Sequence, residues 1–211
     1  MEAVDTIAAT MGAAWASGIN LYATILVLGI LSHTGNITLP PNLEILADPL
    51  VLGAAGLMYC VEFFADKIPG VDTGWDGLHT FLRIPAGALL AANGVGDVGP
   101  AAELAAGLVG GSLAATSHFT KAGTRVLINT SPEPFTNWAA SVTEDVAAVG
   151  GLYTALNFPL VFLGFLGVFL ILVIWLLPRI WRGIKRVFAF LGRLLGGNTQ
   201  SGSPPPPPPP S

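Results

Sequence analysis

The stretch FPLVFLGFLGVFLILVIWLL, Phe158 to Leu177, decides the solvent of this chain. Its twenty residues carry no charge, which is the length a helix needs to cross the hydrocarbon core of a bilayer. Pro159 suits a first helical turn, Trp175 and Trp181 suit an interface, and basic residues follow at once. Only 10% of the chain is charged against 52% hydrophobic, and the mean hydropathy is +0.66. A soluble domain carries about a quarter charged residues, so this composition cannot cover a water-soluble globule. The expected fold class is therefore all-α, a polytopic transmembrane bundle of five or six helical segments.

Five of the nine Lys and Arg residues (Arg179, Arg182, Lys185, Arg186 and Arg193) lie just beyond that span. They alternate with Ile180, Trp181, Val187, Phe188 and Leu191, the pattern of an interfacial amphipathic helix whose bases meet anionic lipid headgroups. Basic flanks face the cytoplasm, so the C-terminus is expected on the cytoplasmic side of the membrane. The bilayer and its headgroups are the expected partners, with a homo-oligomer left open and nucleic acid not expected. Beyond Gly196 the tail ends in seven prolines and a serine and reads as a disordered or polyproline II extension. The organisation expected is a membrane domain over 1–157, a terminal span over 158–178, a basic helix over 179–195 and a tail over 196–211.

Upstream the spans are less regular. Thr6 to Leu31 is uncharged, but Ser17, Gly18 and Asn20 interrupt it, so it reads either as a continuous helix or as a broken, re-entrant pair of half-helices. Ile45 to Ala65 is long enough to cross, and Cys60 within it reads as a small buried hydrophobe. Trp75 to Ala92, Glu103 to Leu127 and Thr136 to Leu156 complete the set. Gly12 to Leu28 laid over Gly111 to Leu127 matches five identities, which raises the prospect of two related halves.

Ionisable groups inside apolar segments carry the functional signal, because each costs about 2.5 kcal/mol or more at the bilayer centre. Asp76, His79 and Arg83 fall at i, i+3 and i+7 on one helix face, and His118, Lys121 and Arg125 repeat the spacing. Glu62 and Asp66 stand at i and i+4, and Glu144 is beside Asp145. With Asn20, the residues Glu62, Asp66, Asp76, His79, Arg83, His118, Lys121, Arg125 and Glu144 are the candidate substrate or ion site. Two readings are open. In one the acids neutralise the bases across helices and fix helix registry. In the other the basic faces line a cavity for a small anionic or lipid-like solute, which makes the chain a transporter or channel.

A membrane-embedded lipid-modifying enzyme and an assembly factor are the alternatives. Enzyme chemistry finds little support: His33, His79 and His118 lack metal-ligand spacing, Ser117-His118 is mere adjacency, and no phosphate loop or nucleophile elbow occurs. No catalytic residue, metal or cofactor is expected.

Three blocks carry a family resemblance: Ser17-Gly18-Ile19-Asn20-Leu21-Tyr22-Ala23-Thr24; Val61 to Asp72 continuing through Trp75-Asp76 to His79 and Arg83; and His118 to Pro134. Over Thr6 to Ala155 the chain resembles domain of unknown function 4126, an uncharacterised bacterial membrane family. The resemblance implies a multi-pass inner-membrane protein and supplies no substrate. Its blocks coincide with the polar positions above, and also take in Lys67, Asn129 and Glu133.

Overall fold

A computed structural model describes residues 3–130 and 134–195; the proline-rich tail and Glu133 lie outside them. Among the described residues every regular element is helical: α1 (Ala3–Ile19), α2 (Leu21–His33), a 3₁₀ helix (Pro41–Ala47), α3 (Pro49–Ala65), α4 (Val71–Gly94), α5 (Pro100–Ile128), α6 (Pro134–Asn157) and α7 (Pro159–Leu195). Prolines open α3, α5, α6 and α7, where the missing N–H has no helical partner to lose.

The uncharged first stretch is broken, and the break is a reversal. Asn20 leaves helical geometry at φ −146°, ψ 102°, and its Oδ1 accepts the Ala23 N–H, capping α2. Were α1 and α2 collinear, His33 would lie about 40 Å from Asp5. Yet Thr38 shares a pocket wall with Asp5, Thr10 and Ala13, and the segment from His33 to Thr38 reaches at most about 18 Å. The chain therefore turns back at Asn20 and makes a helical hairpin whose tip lies inside the bundle. The other half differs at the same register, since α5 runs unbroken through residues 111–127.

Small residues let the hairpin sit deep. A Cβ on Gly18 would overlap Ser117 Oγ and the Ala114 carbonyl of α5, and one on Gly110 would overlap Ala91 of α4. Between α1, α6 and α7 lies an apolar core, in which Trp15 meets the rings of Phe162, Phe165 and Phe169 edge-on at 5.7–6.3 Å.

Two expectations change. The span expected over Ile45 to Ala65 is bent by 63° at Asp48, whose side chain caps α3 through the Leu50 N–H, so its first turn is the separate 3₁₀ helix. Cys60 is exposed rather than buried, because it sits on the outer face of α3. No backbone break separates the terminal span from the basic segment: α7 is continuous for 37 residues through Pro178. At roughly 55 Å it is far longer than a hydrocarbon core of about 30 Å.

Pro159–Gly183 is long and apolar enough to cross a membrane, and the bent 3₁₀–α3 pair reaches the same criterion if taken as one span. The bundle's surface is apolar: Leu50, Phe64, Phe81 and Ile174 are each at least two-thirds exposed, whereas Glu62, Asp72, Arg83 and Arg125 are completely buried.

Candidate functional site

Helix spacing builds the site before any tertiary contact does. Asp72, Asp76, His79 and Arg83 line one face of α4, and His118, Lys121, Arg125 and Asn129 line one face of α5. α4 and α5 pack as an antiparallel hairpin across a short turn, so the start of one meets the end of the other. The last turn of α3 brings Glu62 and Asp66, and α6 adds Asn137 and Glu144.

Three cations are threaded between five carboxylates. Arg83 binds Glu62 and, at 2.9 Å, Asp76. Arg125 grips Glu144 with two guanidinium nitrogens, the shorter contact being 2.7 Å, and donates to the backbone carbonyls of Asp66 and Asn137 at 3.0 and 3.1 Å. Between them stands Lys121. Its ammonium lies 2.8 Å from Asp66, 3.4 Å from Glu62, 3.5 Å from Asp76 and 3.6 Å from Glu144. Asp72 closes the far end, 3.9 Å from Arg125, and accepts from Asn129 Nδ2 at 2.8 Å.

The carboxylates outnumber the cations by two when the histidines are neutral, and for His118 hydrogen bonding favours that state. His79 donates through Nδ1 to the Trp75 carbonyl at 2.9 Å, and its Nε2 meets the Tyr22 hydroxyl at 3.0 Å. Thr80 gives its hydroxyl proton to the Asp76 carbonyl, so it accepts from His118 Nε2 at 2.8 Å. His118 Nδ1 then accepts an Arg83 guanidinium N–H at 3.3 Å. Inside the network, Glu62 Oε2, Asp66 Oδ1 and Asp76 Oδ2 are buried without a hydrogen-bond partner. Each is costly to keep as a bare anion.

Access is one-sided. Glu144 retains 16% side-chain exposure while the network's other charged side chains stay at 3% or less. Lys121 and Glu144 line a groove of about 170 Å³ flanked by Ser117, Thr120, Thr124 and Thr143. The tip of the α1–α2 hairpin hangs over this centre, where Asn20 Nδ2 donates to Asp145 Oδ1 at 2.9 Å and Tyr59 reaches Asp145 from α3.

Eight of the ten candidate residues join in the network, His118 through Arg83, while His79 stands on the same face of α4 bonded to Trp75 and Tyr22 and Asn20 sits on the rim. Asp72, Asn129, Asn137, Tyr22 and Tyr59 extend it beyond the candidate set. For Asp72 and Asn129 the signal was present, since each stands one helical turn beyond a candidate on the same face. Lys67, in the α3–α4 loop, lies over the Phe63 ring instead, and burial lowers its pKa from the ordinary lysine value. The arrangement leaves no base free for an anion, because each of the three already holds carboxylates. Nor do Ser117 and His118 make a nucleophile and base: Ser117 donates to the Trp15 carbonyl and His118 turns to Thr80 and Arg83.

Neither the curated proteins nor the solved structures contain a match to this chain. One family model does match, over residues 7–179, so it takes in the first half of α7 as well as the charge network. The chain belongs to that family, a domain of unknown function (DUF4126).

Proposed function

We propose that the protein is a multi-pass transporter of the bacterial inner membrane, in which the network around Lys121 takes up and releases protons to drive a small neutral or lipid-like solute. One observation carries the reading: a single buried ammonium is shared by four carboxylates, within a network whose acids exceed its cations by two. Buried acids in excess of their counter-charges are held protonated, and such groups coupled at short range exchange protons as a set. An incoming anion would find each of the three cations already holding carboxylates, which argues against the anionic form of the solute.

Glu144, at the groove, is the residue through which water supplies or removes the proton. Protonated, it loosens its hold on Arg125 and Lys121, and the ammonium is then drawn towards Glu62 and Asp76. Because the hairpin tip is tied to Asp145, beside Glu144, a change in α6 is transmitted to Asn20. A multi-pass arrangement agrees with the apolar exterior, and the bases from Arg179 to Arg193 place the end of α7 against anionic headgroups on the cytoplasmic side.

Infrared spectra of the chain reconstituted in lipid, titrated across neutral pH, test the proton reading. A protonated-carboxyl C=O band should be present at neutral pH and should weaken in Glu62→Gln and in Glu144→Gln. If every carboxyl is ionised throughout, the network is a fixed ion-pair lattice that sets helix register, and transport by proton exchange is abandoned.

A further inference from the structure

Four of the chain's bases precede α7: Lys67, Arg83, Lys121 and Arg125. The last three are bound into the charge network, and Lys67 is not. Its Nζ donates to the Phe63 carbonyl at 3.0 Å and more weakly to Ser141 Oγ at 3.5 Å. It lies 2.9 Å above the Phe63 ring and 5.8 Å from that of Trp138. Every one of these groups is neutral. Among the described residues the ion pairs run to the other bases, and no carboxylate comes within pairing distance of Lys67. An ammonium carries three donors, so one N–H is uncommitted and a half-buried charge stands without a counter-ion. Such a charge is costly to hold bare, which calls for an anion from outside the chain.

Position tells which anion. Lys67 follows the last turn of α3 and meets the beginning of α6, at the end of the bundle where α5 finishes. α7 passes that same end at Gly183, where an added Cβ would stand 3.1 Å from Leu127, with Arg182 before it and Lys185 and Arg186 after. Lys67 therefore stands where the apolar flank of the bundle gives way to charge, which is the depth of lipid headgroups. Beside it the surface suits acyl chains: Phe64 is 67% exposed, Ile68 53%, Phe135 83% and Trp138 56%.

We infer that Lys67 anchors one phospholipid per chain, its free N–H bonded to the phosphodiester while the acyl chains lie along Phe64 and the first turns of α6. A phosphodiester carries a single negative charge, which one ammonium neutralises. The second charge of a phosphomonoester would be left over, and Asp145 and Asp66 act on this position closely enough to repel it. The site is distinct from the basic stretch of α7, whose bases meet headgroups as a diffuse cluster. It rests on the chain lying in a bilayer and is independent of proton exchange in the network.

Photolabelling tests it. The purified full chain, in maltoside micelles that contain no phosphate, is irradiated with phosphatidylglycerol carrying a diazirine near the glycerol, or with diacylglycerol carrying the same chain. Adducts are mapped by mass spectrometry. Both probes should label α7 over residues 159–177 alike, which reports immersion in the apolar phase. Over residues 64–68 and 135–138 the phosphatidylglycerol probe should exceed the other about tenfold, the share of one charge-assisted hydrogen bond. Lys67→Gln should remove that excess and Lys67→Arg should keep it, with α7 labelling unchanged in both. Excess unlabelled phosphatidylcholine should displace the probe, and inorganic phosphate should not. Equal labelling by diacylglycerol, wild-type labelling in Lys67→Gln, or displacement by inorganic phosphate would each overturn the assignment. Absence of α7 adducts with either probe would instead sink the membrane reading, and the site with it.

Discussion

Two interior regions of this molecule are made of opposite chemistry. Around Trp15 the space between α1, α6 and α7 is filled by aromatic rings and alanines, and around Lys121 it is filled by five carboxylates and three cations. The first could be the core of almost any helical protein. The second would be ruinous as mere filler, because each unpaired ion in a dry interior costs several kcal/mol. The difference teaches that packing and charge are held apart across the bundle, the aromatic rings against α7 and the charges between α3, α4, α5 and α6.

The largest blow to the contrast should come from Arg83→Ala, which strands Glu62 and Asp76 in the interior. A loss of about 3–5 kcal/mol is expected, read as a lowered midpoint in unfolding by a denaturing detergent. A loss under about 1 kcal/mol would mean that the polar region is as tolerant as the apolar one. Next in size is Gly18→Ala at the hairpin tip. Its methyl would press on a backbone carbonyl that cannot step aside, so about 1–3 kcal/mol should be lost in the same measurement. An unchanged midpoint would show that the hairpin is not seated where the structure puts it.

Pairing within the polar region is sharpened by a double-mutant cycle. Arg125→Ala and Glu144→Ala should couple by about 0.5–3 kcal/mol, the double variant being less damaged than the sum of the singles. Strict additivity would dissolve the pair. The smallest effect belongs to the outside: Leu57→Ala, two-thirds exposed, should shift the midpoint by no more than about 0.5 kcal/mol. A large loss there would reveal a protein partner on that face.

Much of the polar region was legible in the residues themselves. Asp76, His79 and Arg83, like His118, Lys121 and Arg125, share a face by spacing alone, and charges inside apolar segments must find one another. The hub role of Lys121 was not legible, since which carboxylates meet one ammonium depends on how four helices cross. The reversal at Asn20 was half legible: small and polar residues marked a break, but its angle is set by the later return of residues 36–43. Nothing in the residues told whether the terminal span and the basic segment share one helix: α7 runs on through Pro178, which a helix tolerates at the cost of one hydrogen bond.

Cys60 turns from a misplaced core residue into an instrument. It is the sole thiol in the chain and it faces outward from α3. The wild-type protein is therefore already a single-label protein, and one nitroxide or fluorophore attached there reports on α3 with no background to subtract. Paired quenchers, one confined to water and one to the acyl chains, would convert that label into a depth gauge. The immersion of the charge network, two and six residues further along the chain at Glu62 and Asp66, would then be read on the native sequence.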